Sequence, residues 1–138
     1  MLKFNLLLLV LISFLFLTSC SQTLENKLIG EWEGTDNKGN IASFVFNKDK
    51  SANMIFGNVV IDGKSEEFDL NWEFDDNFDP MHLDLLIKHA SAQTRTIPMI
   101  VRFISDTKIQ LRISYDMKSR PTEFSNYDSE NQIILTKQ

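Results

Sequence analysis

The sequence predicts an all-β domain, an antiparallel barrel of about eight strands, on three observations. Short segments with period-two alternation of apolar and polar residues recur along the chain. Turn residues separate them, and helical spacing is confined to a single turn near Leu24–Leu28. In order, Leu28 to Gly34 is a first strand, and Ile41 to Asn47 sets Phe44 and Phe46 on one face. Asn47-Lys48-Asp49-Lys50 turns the chain into Ala52 to Ile61, which ends at Asp62-Gly63, a hairpin dipeptide between apolar runs. Glu66 to Asp75 is the cleanest strand: Phe68, Leu70, Trp72 and Phe74 alternate with Glu67, Asp69, Asn71 and Glu73. After a loop through Pro80, Met81 to Lys88 turns Leu83, Leu85 and Ile87 inward, with His82, Asp84 and Lys88 opposite. Thr96 to Ile104 and Thr107 to Tyr115 form a hairpin about Ser105-Asp106, and Gln132 to Thr136 closes the chain after a long polar connection. One-sided strands joined by short turns must bury a common face and dispose of their edges. A closed up-and-down barrel does both; a two-sheet sandwich is the alternative that periodicity leaves open.

The amino terminus reads as an export signal. Lys3 precedes an apolar run from Phe4 to Leu17, too short for a permanent span of about 20 residues. Cys20 is the single cysteine, so an exported chain has no internal disulfide to form. Leu17-Thr18-Ser19-Cys20 resembles the lipobox of bacterial lipoproteins. That resemblance implies a diacylglycerol on the Cys20 thiol, cleavage before Cys20 and acylation of the new amino group with palmitate-type chains. The expected organisation is a signal peptide over 1–19, a lipidated tether over 20–26 and a barrel domain over 27–138. Ser21 in place of an Asp resembles outer-membrane sorting in Gram-negative bacteria, and Ser21 to Asn26 has no acidic run of the kind that marks surface export. The expected location is the cell envelope, lipid-anchored, on the periplasmic face of the outer membrane where the host is Gram-negative. Cut before Cys20, the chain keeps 119 of its 138 residues and loses Lys3 as its only charge, so the balance moves from −5 to −6. That length holds one core, and so acidic a surface offers no footprint for nucleic acid.

Gly30-Glu31-Trp32 resembles the Gly-x-Trp opening of lipocalins and related calycins, in which the Trp plugs the closed end of the barrel. Trp72, the stretch Asp79-Pro80-Met81-His82-Leu83-Asp84-Leu85, the hairpin through Tyr115 and Arg120-Pro121-Thr122-Glu123-Phe124 resemble a lipocalin-like family of exported bacterial domains without an agreed activity. The fold implied is a lipocalin-like, calycin-type barrel. Gly30, Trp32 and Arg120 are its expected barrel-closing residues. A lipocalin covers its Trp with an Arg on the last strand, whereas Ile133 to Lys137 offers only Lys137, so Arg120 or Arg112 is expected over the Trp32 ring as a cation–π partner.

No catalytic constellation is legible. His82 and His89 stand outside any nucleophile or metal motif and read as solvated surface histidines. Asp75, Asn77 and Asp79 begin like a calcium loop, but Pro80 and Leu86 occupy the positions that need Gly and Glu. No enzyme, metal or cofactor is therefore expected. Phe44, Phe46, Phe56, Phe68, Trp72, Phe74 and Phe103 read in two ways. They line a pocket for a small hydrophobic ligand, or they fill the interior, since Ala42, Ala52 and Gly57 leave few small positions. The first reading makes the protein a non-catalytic binding module. The second makes it a filled barrel that meets another envelope protein through Asp75–Pro80 and Tyr115–Asn131. Either way the membrane is met through the acylated Cys20.

Overall fold

Alternation becomes strand almost wherever the sequence carries it. The computed structural model describes residues 23–36, 38–57, 59–63, 67–114, 116–126 and 131–138. A short helix α1 (Leu24–Leu28), N-capped by the Thr23 hydroxyl, leads into β1 (Gly30–Thr35), β2 (Ile41–Phe46), β3 (Ala52–Phe56) and β4 (Val59–Ile61). Then come β5 (Phe68–Asp75), β6 (Met81–His89), β7 (Arg95–Ser105), β8 (Lys108–Ile113) and β9 (Gln132–Lys137). The chain is all-β, a lipocalin-like antiparallel barrel, with nine strands among the described residues rather than eight. The extra strand arises at Gly57, whose φ of +60° lets the expected strand 52–61 turn back on itself, so that β4 pairs antiparallel with β3 from Phe56 opposite Val59. Leu24–Leu28 overlaps the end of the segment 20–26 expected as a tether, and it packs on the barrel through Leu28, which is fully buried.

The sheet order is β4-β3-β2-β1-β9-β8-β7-β6-β5, so each strand pairs with its sequence neighbour except at β4 and β5, and β1 pairs with β9. Asp62-Gly63 therefore turns no hairpin. Gly63 instead lies against β3, its N–H donating to Asn53 Oδ1 at 2.9 Å, where a Cβ would stand 2.0 Å from the Ala52 carbonyl oxygen. The barrel is closed part-way along the β3–β5 seam by a bridge between Ser51 and Asn71, with Trp72 N–H donating to Lys50 O at 2.9 Å. Above that bridge β4 and β5 are the two free edges of the sheet.

Trp32, Phe44, Phe46, Leu70, Trp72, Leu83, Leu85, Met99, Leu111 and Leu135 fill the barrel's interior without contact with water. Strand β7 is buried on both faces from Ile97 to Val101. Its outer face is covered by a strap, residues 116–126, pinned where Arg120 Nη1 donates to Met99 O at 2.7 Å and Arg102 lies 4.5 Å over the Phe124 ring. The continuous apolar run Ile97 to Val101 is the sequence trace of this double burial.

Candidate functional site

The two ends of the barrel are finished differently. At the lower end α1 acts as a plug. Trp32 Nε1 donates to Leu28 O at 2.7 Å, and Lys137 Nζ donates to Lys27 O at 2.8 Å while lying 5.2 Å over the Trp32 ring. Lys27 pairs with Asp106 at 2.9 Å, and Lys50 pairs with Glu25. Burial holds the Lys137 pKa below its ordinary value. Gly30 is required here: its φ is +134°, and a Cβ would stand 2.8 Å from Lys137 Cε.

At the upper end no such plug exists among the described residues. Between β4 and the β5–β6–β7 wall lies a cavity of about 500 Å³ lined by Val60, Ile61, Phe68 and Ile87, with His89, Ala92, Gln93 and Arg95 at its rim. The register explains the lining. Phe68 stands opposite His89, Leu70 opposite Ile87, and Ile87 opposite Arg95, so these side chains share the inner face where the core gives out. Phe68 is 37% exposed and Val60 68% exposed, so apolar surface at this end meets water. The Phe68 ring meets His89 edge-on at 5.0 Å. His89 Nδ1 accepts from Ser91 N–H at 3.2 Å and lies 2.9 Å from its hydroxyl, which puts the proton of a neutral imidazole on Nε2. Arg95 has no ion-pair or hydrogen-bond partner among the described residues.

A second, larger depression of about 620 Å³ lies along the β5–β6 hairpin, its walls carrying Glu73, Asp75, His82, Asp84 and Arg120. Its polar groups are largely engaged with one another. Asp75 accepts from the Asn77 backbone and side-chain amides at 3.0 and 2.7 Å, which lowers its pKa. Arg120 Nη2 donates to Asp84 Oδ2 at 2.9 Å and lies 2.7 Å from Oδ1, which is buried and takes no hydrogen bond among the described residues. His82 stacks on Phe78 at 3.9 Å, and burial, then the Arg120 charge, lower its pKa. No Ser, Thr or Cys lines this depression among the described residues. No cluster able to hold a metal ion occurs among the described residues either. The apolar mouth, with free polar groups at its rim, is therefore the better candidate.

The aromatic set divides accordingly. Phe44, Phe46 and Trp72 are fully buried and pack on one another, Phe44 to Phe46 at 6.1 Å and Phe46 to Trp72 at 5.5 Å. Phe56, Phe74 and Phe103 are half-buried against that core, and Phe68 alone of the seven lines the mouth. The cation over Trp32 is Lys137. Arg120 instead binds Asp84 and Met99, and Arg112 donates to the Glu123 carbonyl, so neither takes the barrel-closing place assigned to it. Cys20 and the export segment lie outside the described residues. Sequence reasoning passed over Val60, Ile61, Ile87, His89 and Arg95 as a group. Their signal was polar residues on the inner-facing register at strand ends, Arg95 and His89 in line with Ile87 and Phe68. Neither a protein-family model, nor a curated protein, nor a solved structure matches this chain.

Proposed function

We propose that the protein is a lipid-anchored envelope lipoprotein whose barrel is a non-catalytic binding module, holding a small hydrophobic ligand in its upper mouth. The observation that carries this reading is the apolar cavity of about 500 Å³ bounded by Val60, Ile61, Phe68 and Ile87, within the size range of small-molecule sites. The anchor rests on the lipobox-like Leu17 to Cys20, and the periplasmic face of an outer membrane on Ser21. Incorporation of labelled palmitate into the wild-type chain and none into Cys20→Ala tests the anchor. For the ligand, the processed lipoprotein is titrated with N-phenylnaphthylamine, a neutral apolar fluorophore, beside a Phe68→Asp preparation of equal detergent content. Saturable fluorescence in the wild type that Phe68→Asp loses is the expected result. Identical titrations of the two sink the reading.

One observation favours a second reading, a filled barrel that meets an envelope protein through its loops. Phe78, in the loop between β5 and β6, is half exposed and presents its ring beside His82. Pull-down of one specific protein that Phe78→Ser abolishes, together with an empty mouth, would favour it over ligand binding.

A further inference from the structure

Resting on the ligand reading above, we infer that the mouth is built for an amphiphile with a single anionic head group, its chain against Ile61, Phe68 and Ile87 and its head at Arg95 and His89. The chain carries a formal net charge of −5, and Lys27 pairs with Asp106, Lys50 with Glu25, Arg120 with Asp84 and Lys137 with Lys27 O. Lys48, Lys88, Lys108 and Lys118 lack such a partner among the described residues, as Arg95 does, but of these five Arg95 alone lines the cavity. It is exposed, has no partner among the described residues, and shares its cavity with no described Asp or Glu. His89 adds a second donor, because Ser91 N–H occupies Nδ1 and the Nε2 proton has no acceptor among the described residues.

Geometry fixes which way such a ligand lies. Ile87 is opposite Arg95 on the inner face and next to Leu70, while Phe68 is opposite His89, so each polar group is one cross-strand step from an apolar wall. Deeper in, Trp72 and Phe46 are fully buried and pack edge to face at 5.5 Å. The apolar part therefore lies between β4 and β5, and the head stays at the rim. A cationic head would meet Arg95 with like charge, and a neutral head would leave the guanidinium no better solvated than water does. A carboxylate and a phosphate share the chemistry required.

The test is displacement of N-phenylnaphthylamine from the processed lipoprotein by decanoate, decyl phosphate, decanol and decyltrimethylammonium. Decanoate or decyl phosphate should displace the probe about tenfold more tightly than decanol, and whichever is tighter identifies the head. Arg95→Gln should erase that advantage, with an unfolding midpoint matching wild type to show that the fold is intact. Probe binding with equal displacement by decanoate and decanol, or with the ammonium tightest, overturns the head-group inference while the ligand reading stands. A probe that never binds overturns both.

Discussion

At its lower end the barrel is shut by its own chain: α1 supplies the Leu28 side chain as filler and the carbonyls of Lys27 and Leu28 as acceptors for Lys137 and Trp32. At the upper end the same inward alternation runs out into Phe68, His89 and Arg95, and no described segment covers them. The difference shows what separates a core from a site. Trp32 and Lys137 each bring a polar atom inside and find a backbone partner for it, so that end is finished. Phe68 leaves an aromatic ring 37% exposed, and Arg95 has no hydrogen-bond or ion-pair partner among the described residues, so within the described chain that end is left unfinished.

The sharpest way to break this comparison is at the plug. Trp32→Ala removes a fully buried ring, leaves the Leu28 carbonyl without its indole donor and strips Lys137 of the face it lies over. A loss of about 3–5 kcal/mol in urea unfolding is expected. A loss under about 1 kcal/mol would mean that the lower end is not the stabilising one.

The side wall comes next. Arg120→Gln frees Asp84, whose side chain is only 23% exposed, and takes a donor from Met99 O. The expected cost is about 1–3 kcal/mol, with amide exchange rising first in the middle of β7, under the strap, and little at the plug. Exchange that rises equally at both ends would show the barrel opening as one unit, and the strap would have no separate role.

How much of this was legible in the residues follows from where the information lies. The alternation of Phe68 to Phe74 and of Ile109 to Ile113 specified strands and faces directly, because a one-residue slip would expose the whole apolar set. Gly30-Glu31-Trp32 located the closed end, and the reason appears in the φ of Gly30 and the passage of Lys137. Asp62-Gly63 misled, because a turn dipeptide reports local geometry only, while the pairing of β1 with β9 and the separation of β4 from β5 are decided by barrel closure. Arg120 misled for a similar reason: sequence gives its charge, but not that a strap carries it to Asp84 rather than to Trp32. The mouth was hidden because its members come from four segments, and the aromatic count could not tell Phe68 from Phe44.

Phe68→Ser sharpens the contrast from the other side. An already exposed ring contributes little to holding the fold, so stability should fall by about 1 kcal/mol or less in the same urea experiment. Probe binding should nonetheless be lost. A destabilisation as large as that of Trp32→Ala would make Phe68 a core residue and the mouth an incidental gap.

The smallest effect is a pH dependence that belongs to the wall and not to the mouth. His82 stands opposite Asp75 in the register and against the Phe78 ring, faced by Arg120, Asp84 and Asp75. Burial and then Arg120 lower its pKa below the ordinary histidine value of 6.5, and the raising effects of Asp84 and Asp75 do not compensate. Between its folded pKa and 6.5 the unfolded chain thus binds more protons than the folded one, so stability rises with pH across that window and is lost on acidification below 6.5. The loss levels off once both states are protonated. His82→Gln should flatten this step in urea midpoints measured at intervals below pH 6.5, and Phe68→Ser should leave it in place. If Phe68→Ser removed the step and His82→Gln kept it, the titrating group would lie at the mouth, and the wall and the open end could no longer be treated as independent.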